Sequence, residues 1–89
     1  MQMTRTVTTR DGRTLACLEV GDPGGPLVTH NHGGPSSRLE ARLFAGAAAR
    51  HGLRFVCVDQ PGMGQSSRQR NRTYLSWADD LTAIADALG

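Results

Sequence analysis

LVTHNHGGPSSRLEARLFAGAAARHGLRFVCVDQPGMGQSS, residues 27–67, decides how this chain folds. The stretch opens on a short strand candidate, Leu27-Val28-Thr29-His30, and runs into Asn31-His32-Gly33-Gly34-Pro35, whose glycines and proline break a strand. Ser37-Arg38-Leu39-Glu40 has the S-x-x-E form of a capping box, with Ser37 closing a helix start and Glu40 reaching back to it. Leu39, Leu43, Phe44, Ala47 and Ala48 then recur at helical spacing. Arg50 and His51 suit the negative end of that helix, and Gly52 is placed to end it. Phe55-Val56-Cys57-Val58 is an unbroken apolar run, the pattern of a strand buried on both faces. Strand, helix and buried strand in this order predict a parallel pair joined by a right-handed crossover. Asp59 to Ser67 follows as a tight, glycine-containing loop.

Working outward, Thr4–Thr9 and Leu15–Val20 read as two strands joined by Arg10-Asp11-Gly12-Arg13, whose D-G pair is a strong hairpin signal. Gly21-Asp22-Pro23-Gly24-Gly25-Pro26 is a loop. Toward the other end, Ser76-Trp77-Ala78-Asp79 is expected to cap a last helix with an apolar face of Ala78, Leu81, Ala85 and Leu88. Asp79 and Asp80 read as helix N-terminal charges, and Trp77 and Phe44 as core anchors. The predicted class is α/β: a β-hairpin, a parallel β-α-β unit and a final helix.

Eighty-nine residues suffice for one small domain. The 38% hydrophobic and 20% charged composition is that of a globular chain, not a disordered tail. No apolar stretch is long enough to span a membrane, and the N-terminus leads into no signal core, so a cytoplasmic location is expected. The net charge is only +2; every cation is arginine, and the ten are spread along the chain. Arg68, Arg70 and Arg72, the tightest group, read as a solvated loop, and nucleic acid is not expected as a partner. Cys17 and Cys57 lie in apolar runs and read as buried free thiols, with a single disulfide left open. His30 and His32 have no further ligands at metal spacing, and Gly62-Met63-Gly64 lacks the third glycine of a dinucleotide fingerprint. Neither a metal nor a cofactor is expected. Ser66 and Ser67 have no evident base partner and read as loop residues, not nucleophiles.

In open parallel sheets, ligands bind beyond the carboxyl ends of the strands. Both glycine-rich loops fall there, and glycine lets backbone N–H groups approach a ligand closely. Such an amide aimed at a developing oxyanion contributes strongly to acyl transfer. HGGPSSR after one strand and RFVCVDQPGMGQSS around the next resemble the N-terminal part of the α/β-hydrolase superfamily. The resemblance is to members bearing His-Gly-x-Pro and then Asp-x-x-Gly-x-Gly-x-Ser, such as prolyl aminopeptidase-like and epoxide-hydrolase-like proteins. It covers nearly the whole chain.

That resemblance implies that Gly34 supplies one oxyanion-hole N–H while Gly33 permits the sharp turn. It implies that Pro35 fixes the loop, often through a cis peptide, and that His32 holds it by side-chain hydrogen bonds without acting as the base. Gly62 and Gly64 would shape the turn after the fourth strand, with Asp59 and Ser66 making loop hydrogen bonds. The family order of strands would be first, second, fourth, third, leaving the third on an open edge. The family's Gly-x-Ser-x-Gly elbow is missing: only Gly21 and Gly25 are glycines four apart, with Pro23 between them. Residues 1–89 are therefore expected to be a partial domain carrying the oxyanion loop, without nucleophile, acid, base or C-terminal half. Alone it is expected to be inactive and marginally stable; the parent would hydrolyse a small-molecule ester, amide, peptide or epoxide. Self-association or a complementing C-terminal chain would complete it. The alternative is a non-catalytic remnant or interaction module pairing through the open sheet edge.

Overall fold

The computed structural model describes residues 2–34 and 36–89. Strands β1 (Gln2–Thr8), β2 (Thr14–Gly21), β3 (Leu27–His30) and β4 (Arg54–Val58) form one sheet in the order β1-β2-β4-β3. β1 and β2 pair antiparallel, as do β2 and β4, whereas β3 and β4 are parallel. This is the order expected of the family, with β3 at the edge of the described sheet and Val28 exposed on it.

Between β3 and β4 the chain forms a 3-10 helix, Arg38–Phe44, continued by α1, Ala45–Arg50. Ser37 caps the first of these by accepting the Leu39 N–H, and α1 ends at His51 with Gly52 at φ +63°. The reciprocal half of the predicted capping box does not form among the described hydrogen bonds. The Glu40 carboxylate is drawn instead to the loop after β3, where its two oxygens find other donors.

The final helix, α2, spans Tyr74–Leu88 and starts earlier than expected. Thr73 is its N-cap and exchanges hydrogen bonds with Ser76, so the cap pair is shifted from the predicted Ser76–Asp79. Its buried face carries Trp77, Asp80, Ile84 and Leu88; Ala78 is exposed, which corrects the predicted face. Asp80 is not a solvated helix charge. Both its oxygens take the Arg13 guanidinium, at 2.7 and 3.1 Å, and this buried pair fastens the hairpin turn to α2.

Alternation along the central strands divides the core into two layers. Leu15, Cys17, Val56 and Val58 pack with Trp77, Ile84 and Leu88 on one face. Leu18, Val20 and Cys57 pack with Ala41 and Ala48 on the other. Cys17 and Cys57 therefore lie on opposite faces, and both are free and buried. Burial pushes each thiol up to about 11. Glu19 is fully buried on the α2 face, paired with Arg54 and, at 3.1 Å, with Arg5. Arg54 also donates to the Leu88 carbonyl at 2.8 Å, tying the sheet to the end of α2.

Candidate functional site

The carboxyl ends of the parallel strands β3 and β4 open into two loops that meet through His32 and Gln60. His32 is buried, and its Nδ1 lies 2.8 Å from the Gly33 carbonyl. Its Nε2 accepts the Gln60 N–H at 3.1 Å, so Nδ1 carries the proton and donates to Gly33. The Gln60 side chain returns a hydrogen bond to the His32 carbonyl at 3.0 Å. The lone pair that a basic imidazole would use is thus occupied by a backbone amide.

Asp59, at the end of β4, has no exposure at all. Its Oδ1 accepts the Arg38 N–H at 2.6 Å, and its Oδ2 accepts the Arg38 Nη1 and the Gln65 N–H, each at 2.9 Å. The first residue of the 3-10 helix is in this way locked to the floor of the second loop. Gly64 takes φ +52°, and a Cβ there would overlap the Asp59 carboxylate, so a side chain is excluded on both grounds. The Gly62 N–H donates to the Ser67 carbonyl at 3.0 Å. Ser66 Oγ donates to the Asp59 carbonyl at 2.6 Å and accepts the Ala16 N–H at 2.9 Å, engaging the hydroxyl on both sides.

The first loop is anchored from outside. The Gly33 N–H donates to Glu40 Oε2 at 3.0 Å, and His30 Nε2 donates to Glu40 Oε1 at 2.8 Å. The Ser36 hydroxyl, His30 and the Gly33 amide hold the Glu40 carboxyl well below the usual carboxylate range, at about 2. The His30 ring packs against both Phe44 and Phe55, with centroids 5.1 and 5.7 Å away. Gly34 is exposed, makes no hydrogen bond with the described residues, and has nothing within 4 Å of where a Cβ would stand. The expectation for Pro35 lies outside the described residues.

The N-terminus of α2 closes the far side. Trp77 Nε1 donates to Asn31 Oδ1 at 3.1 Å, and Arg72 donates to Gln60 Oε1 at 2.7 Å while its guanidinium lies 5.3 Å from the Trp77 ring centroid. Arg68, Arg70 and Arg72 are exposed in a loop, as expected, and Arg72 also reaches the site through its exposed hydrogen bond to Gln60. A cleft of about 390 Å³ is lined here by Gln60, Arg72, Thr73, Tyr74 and Trp77. A larger groove, about 460 Å³, lies along α2 beside Arg13, Asp79, Asp80 and Asp86; Gly34 lines neither. Among the described residues, no three His, Cys, Asp or Glu side chains converge as metal ligands, and no helix is long and apolar enough to cross a membrane.

Sequence reasoning placed Gly33, Gly34, His32, Asp59, Gly62 and Gly64 on these two loops, and the structure brings the loops together. It missed Glu40, Arg38, Gln60 and Asn31 as the groups that hold them. Only Glu40 carried a signal, and that signal pointed to a helix cap.

The sequence pattern of the alpha/beta hydrolase fold family matches residues 26–89. The "Probable oxidoreductase EphD" of Mycobacterium bovis is 35% identical over 92 residues, covering 98% of this chain and 15% of that protein. Among solved structures, an epoxide hydrolase from an endophytic Streptomyces superposes with a TM-score of 0.86 at 33% identity, over 99% of this chain and 27% of its own. Epoxide hydrolase A from Mycobacterium thermoresistibile gives a TM-score of 0.86 at 29% identity, over 100% of this chain and 28% of its own. The chain thus spans 15% of the length of the curated relatives it matches.

Proposed function

The chain belongs to the alpha/beta hydrolase fold family, as an N-terminal portion of that fold, and from this premise we propose that its loop after β3 supplies one half of an oxyanion hole. In this reading a nucleophile from outside these residues adds to the acyl carbon of a small-molecule ester, amide or peptide, or to the carbon of an epoxide. The negative charge that gathers on the substrate or intermediate oxygen is taken by the Gly34 N–H. An amide held in place beforehand needs no reorganisation as the charge develops. One observation carries the reading: at the carboxyl end of β3, Gly34 alone of His32, Gly33 and Gly34 has no partner among the described residues, while its two predecessors are fastened.

His32 in this scheme is a strut, since its Nε2 is engaged by Gln60. Asp59 and Ser66 fix the neighbouring loop and do not attack substrate, because their oxygens are consumed by Arg38, Gln65 and Ala16. The nucleophile, acid and base belong to polypeptide outside these 89 residues, and the chain by itself is inactive. The EphD relative is named as an oxidoreductase, but the match covers 15% of it, and the solved neighbours named as epoxide hydrolases support hydrolysis for this segment.

Two assays test the reading. The purified chain, given p-nitrophenyl acetate or styrene oxide, is expected to show no turnover above a heat-unfolded control. In a polypeptide that joins this segment to a nucleophile elbow, Gly34→Pro removes the N–H and is expected to lower kcat by roughly 100- to 1,000-fold with a smaller change in KM. An unchanged kcat would overturn the assignment of Gly34. Turnover by the chain alone, abolished by replacing one of its own side chains, would overturn the external nucleophile.

A further inference from the structure

Glu40 has no place in the chemistry proposed above, yet among the described residues it is the one carboxylate hydrogen-bonded to the loop after β3. Its two oxygens are divided between two elements. Oε1 takes His30 at the end of β3, and Oε2 takes the Gly33 N–H, the amide immediately before Gly34. Glu40 itself sits in the 3-10 helix, whose start is locked to the second loop through Arg38 and Asp59. The carboxylate therefore connects a rigid scaffold to the most exposed turn of the site.

We propose that Glu40 is the positioning residue of this loop: by taking the Gly33 N–H from behind, it fixes the His32–Gly33 peptide plane and so the path of the chain into the next peptide, whose N–H at Gly34 is left as a free donor. Successive amides in a tight turn compete for the same acceptor, and a carboxylate is the strongest acceptor available to the first of them. With the Gly33 N–H committed to Glu40 and the Gly33 carbonyl committed to His32, the peptide planes on both sides of Gly33 are held, each by one hydrogen bond. The His30 imidazole, fixed against Phe44 and Phe55, keeps the carboxylate in place. Cys57 on β4 is the other titratable group influenced by this carboxylate; buried and protonated, it adds no competing charge.

The catalytic consequence rests on the oxyanion reading, but the tether does not, and the experiment separates them. Amide hydrogen exchange of the 15N-labelled chain is compared for wild type, Glu40→Ala and Glu40→Gln. In the wild type the Gly33 amide is expected to be protected and the Gly34 amide open. Glu40→Ala should accelerate Gly33 exchange about tenfold or more while the β4 amides of Val56 and Val58 stay unchanged; Glu40→Gln, which keeps an acceptor oxygen, should stay within about threefold of wild type. The proposal is overturned by an unprotected Gly33 in the wild type, by no change in Glu40→Ala, by equal acceleration of Val56 and Val58, or by Glu40→Gln behaving as Glu40→Ala. In the active polypeptide the same variants should split likewise, with kcat reduced about tenfold in Glu40→Ala and restored in Glu40→Gln at unchanged KM. A silent Gly34→Pro alongside a responsive Gly33 amide would sink the oxyanion reading and leave the tether standing.

Discussion

The loops that leave β3 and β4 emerge side by side from hydrogen-bonded parallel strands, and both depend on glycine, yet they are built in opposite senses. The loop from Asp59 to Ser67 is closed. A fully buried carboxylate lies at its centre, and Arg38, Gln65 and the Ser66 hydroxyl satisfy the polar groups around it. The loop from His32 to Gly34 is held from outside by Gln60 and Glu40 and leaves the Gly34 amide without a partner among the described residues. Glycine does a different job in each. At Gly64 it removes a side chain that would collide with Asp59, whereas at Gly34 it leaves room for something the described residues do not provide. The contrast separates a loop whose polar groups are satisfied internally from one that leaves an amide unpartnered among the described residues.

The strongest way to break this contrast is to burden the closed loop. Gly64→Ala places a methyl group against the Asp59 carboxylate and holds a non-glycine residue at φ +52°. The expected loss of stability is about 2–4 kcal/mol, read as a fall in the urea midpoint at constant slope. A loss below about 0.5 kcal/mol would mean that the loop yields easily and that its closure is not what holds the end of β4.

The bounds of β3 were legible because they rest on local signals, apolar runs set off by glycine and proline, whereas the sheet order was expected from the family resemblance and not from those signals. The two loops were legible from the same local signals. What holds the site was not. Glu40 completes an S-x-x-E pattern with Ser37, and nothing local indicates that an amide seven positions upstream will outcompete the helix end for its oxygens. Arg13 and Asp80 are 67 positions apart, and only the docking of α2 on the sheet brings them into contact. Glu19 is a different case. Alternation along β2 places it on the face of Leu15 and Cys17, but the sequence reading drew nothing from it, and its burial shows only in the packed sheet, where it pairs with Arg54. The face of α2 was misread because Ala78 was put on it in place of Trp77 and Ile84; Trp77, Leu81, Ile84 and Leu88 recur at helical spacing and turn Ala78 to solvent.

Acid sharpens the comparison with a smaller, local effect. The Glu40 carboxyl is held at about 2 against an ordinary value of 4.5. A carboxyl whose value is depressed by folding contributes stability above its unfolded value, and that contribution is lost as pH falls through the folded one. The stability that the tether adds is therefore complete above about pH 4.5 and is lost progressively below it, while in the folded chain the carboxyl itself is half-protonated only near pH 2. The Gly33 amide shift should follow a midpoint near pH 2, measured while far-UV circular dichroism confirms that the chain remains folded. A midpoint near 4.5 in a folded chain would show that the carboxylate does not grip the loop.

The smallest expected effect is the most informative about access. Gly34→Ala adds one methyl group at a position with no neighbour within 4 Å and with φ outside the left-handed region. Stability should move by no more than about 0.5 kcal/mol, because neither strain nor overlap is introduced and the N–H is retained. Any functional cost must then come from what approaches the loop and not from how the loop folds. In an active polypeptide containing this segment, the methyl group would stand beside the amide that Gly34→Pro deletes. Reduced turnover in Gly34→Ala at undiminished stability would place the reacting oxygen on this side of the loop. A destabilisation rivalling that of Gly64→Ala would show instead that the loop after β3 is packed, and the distinction between the two loops would fail.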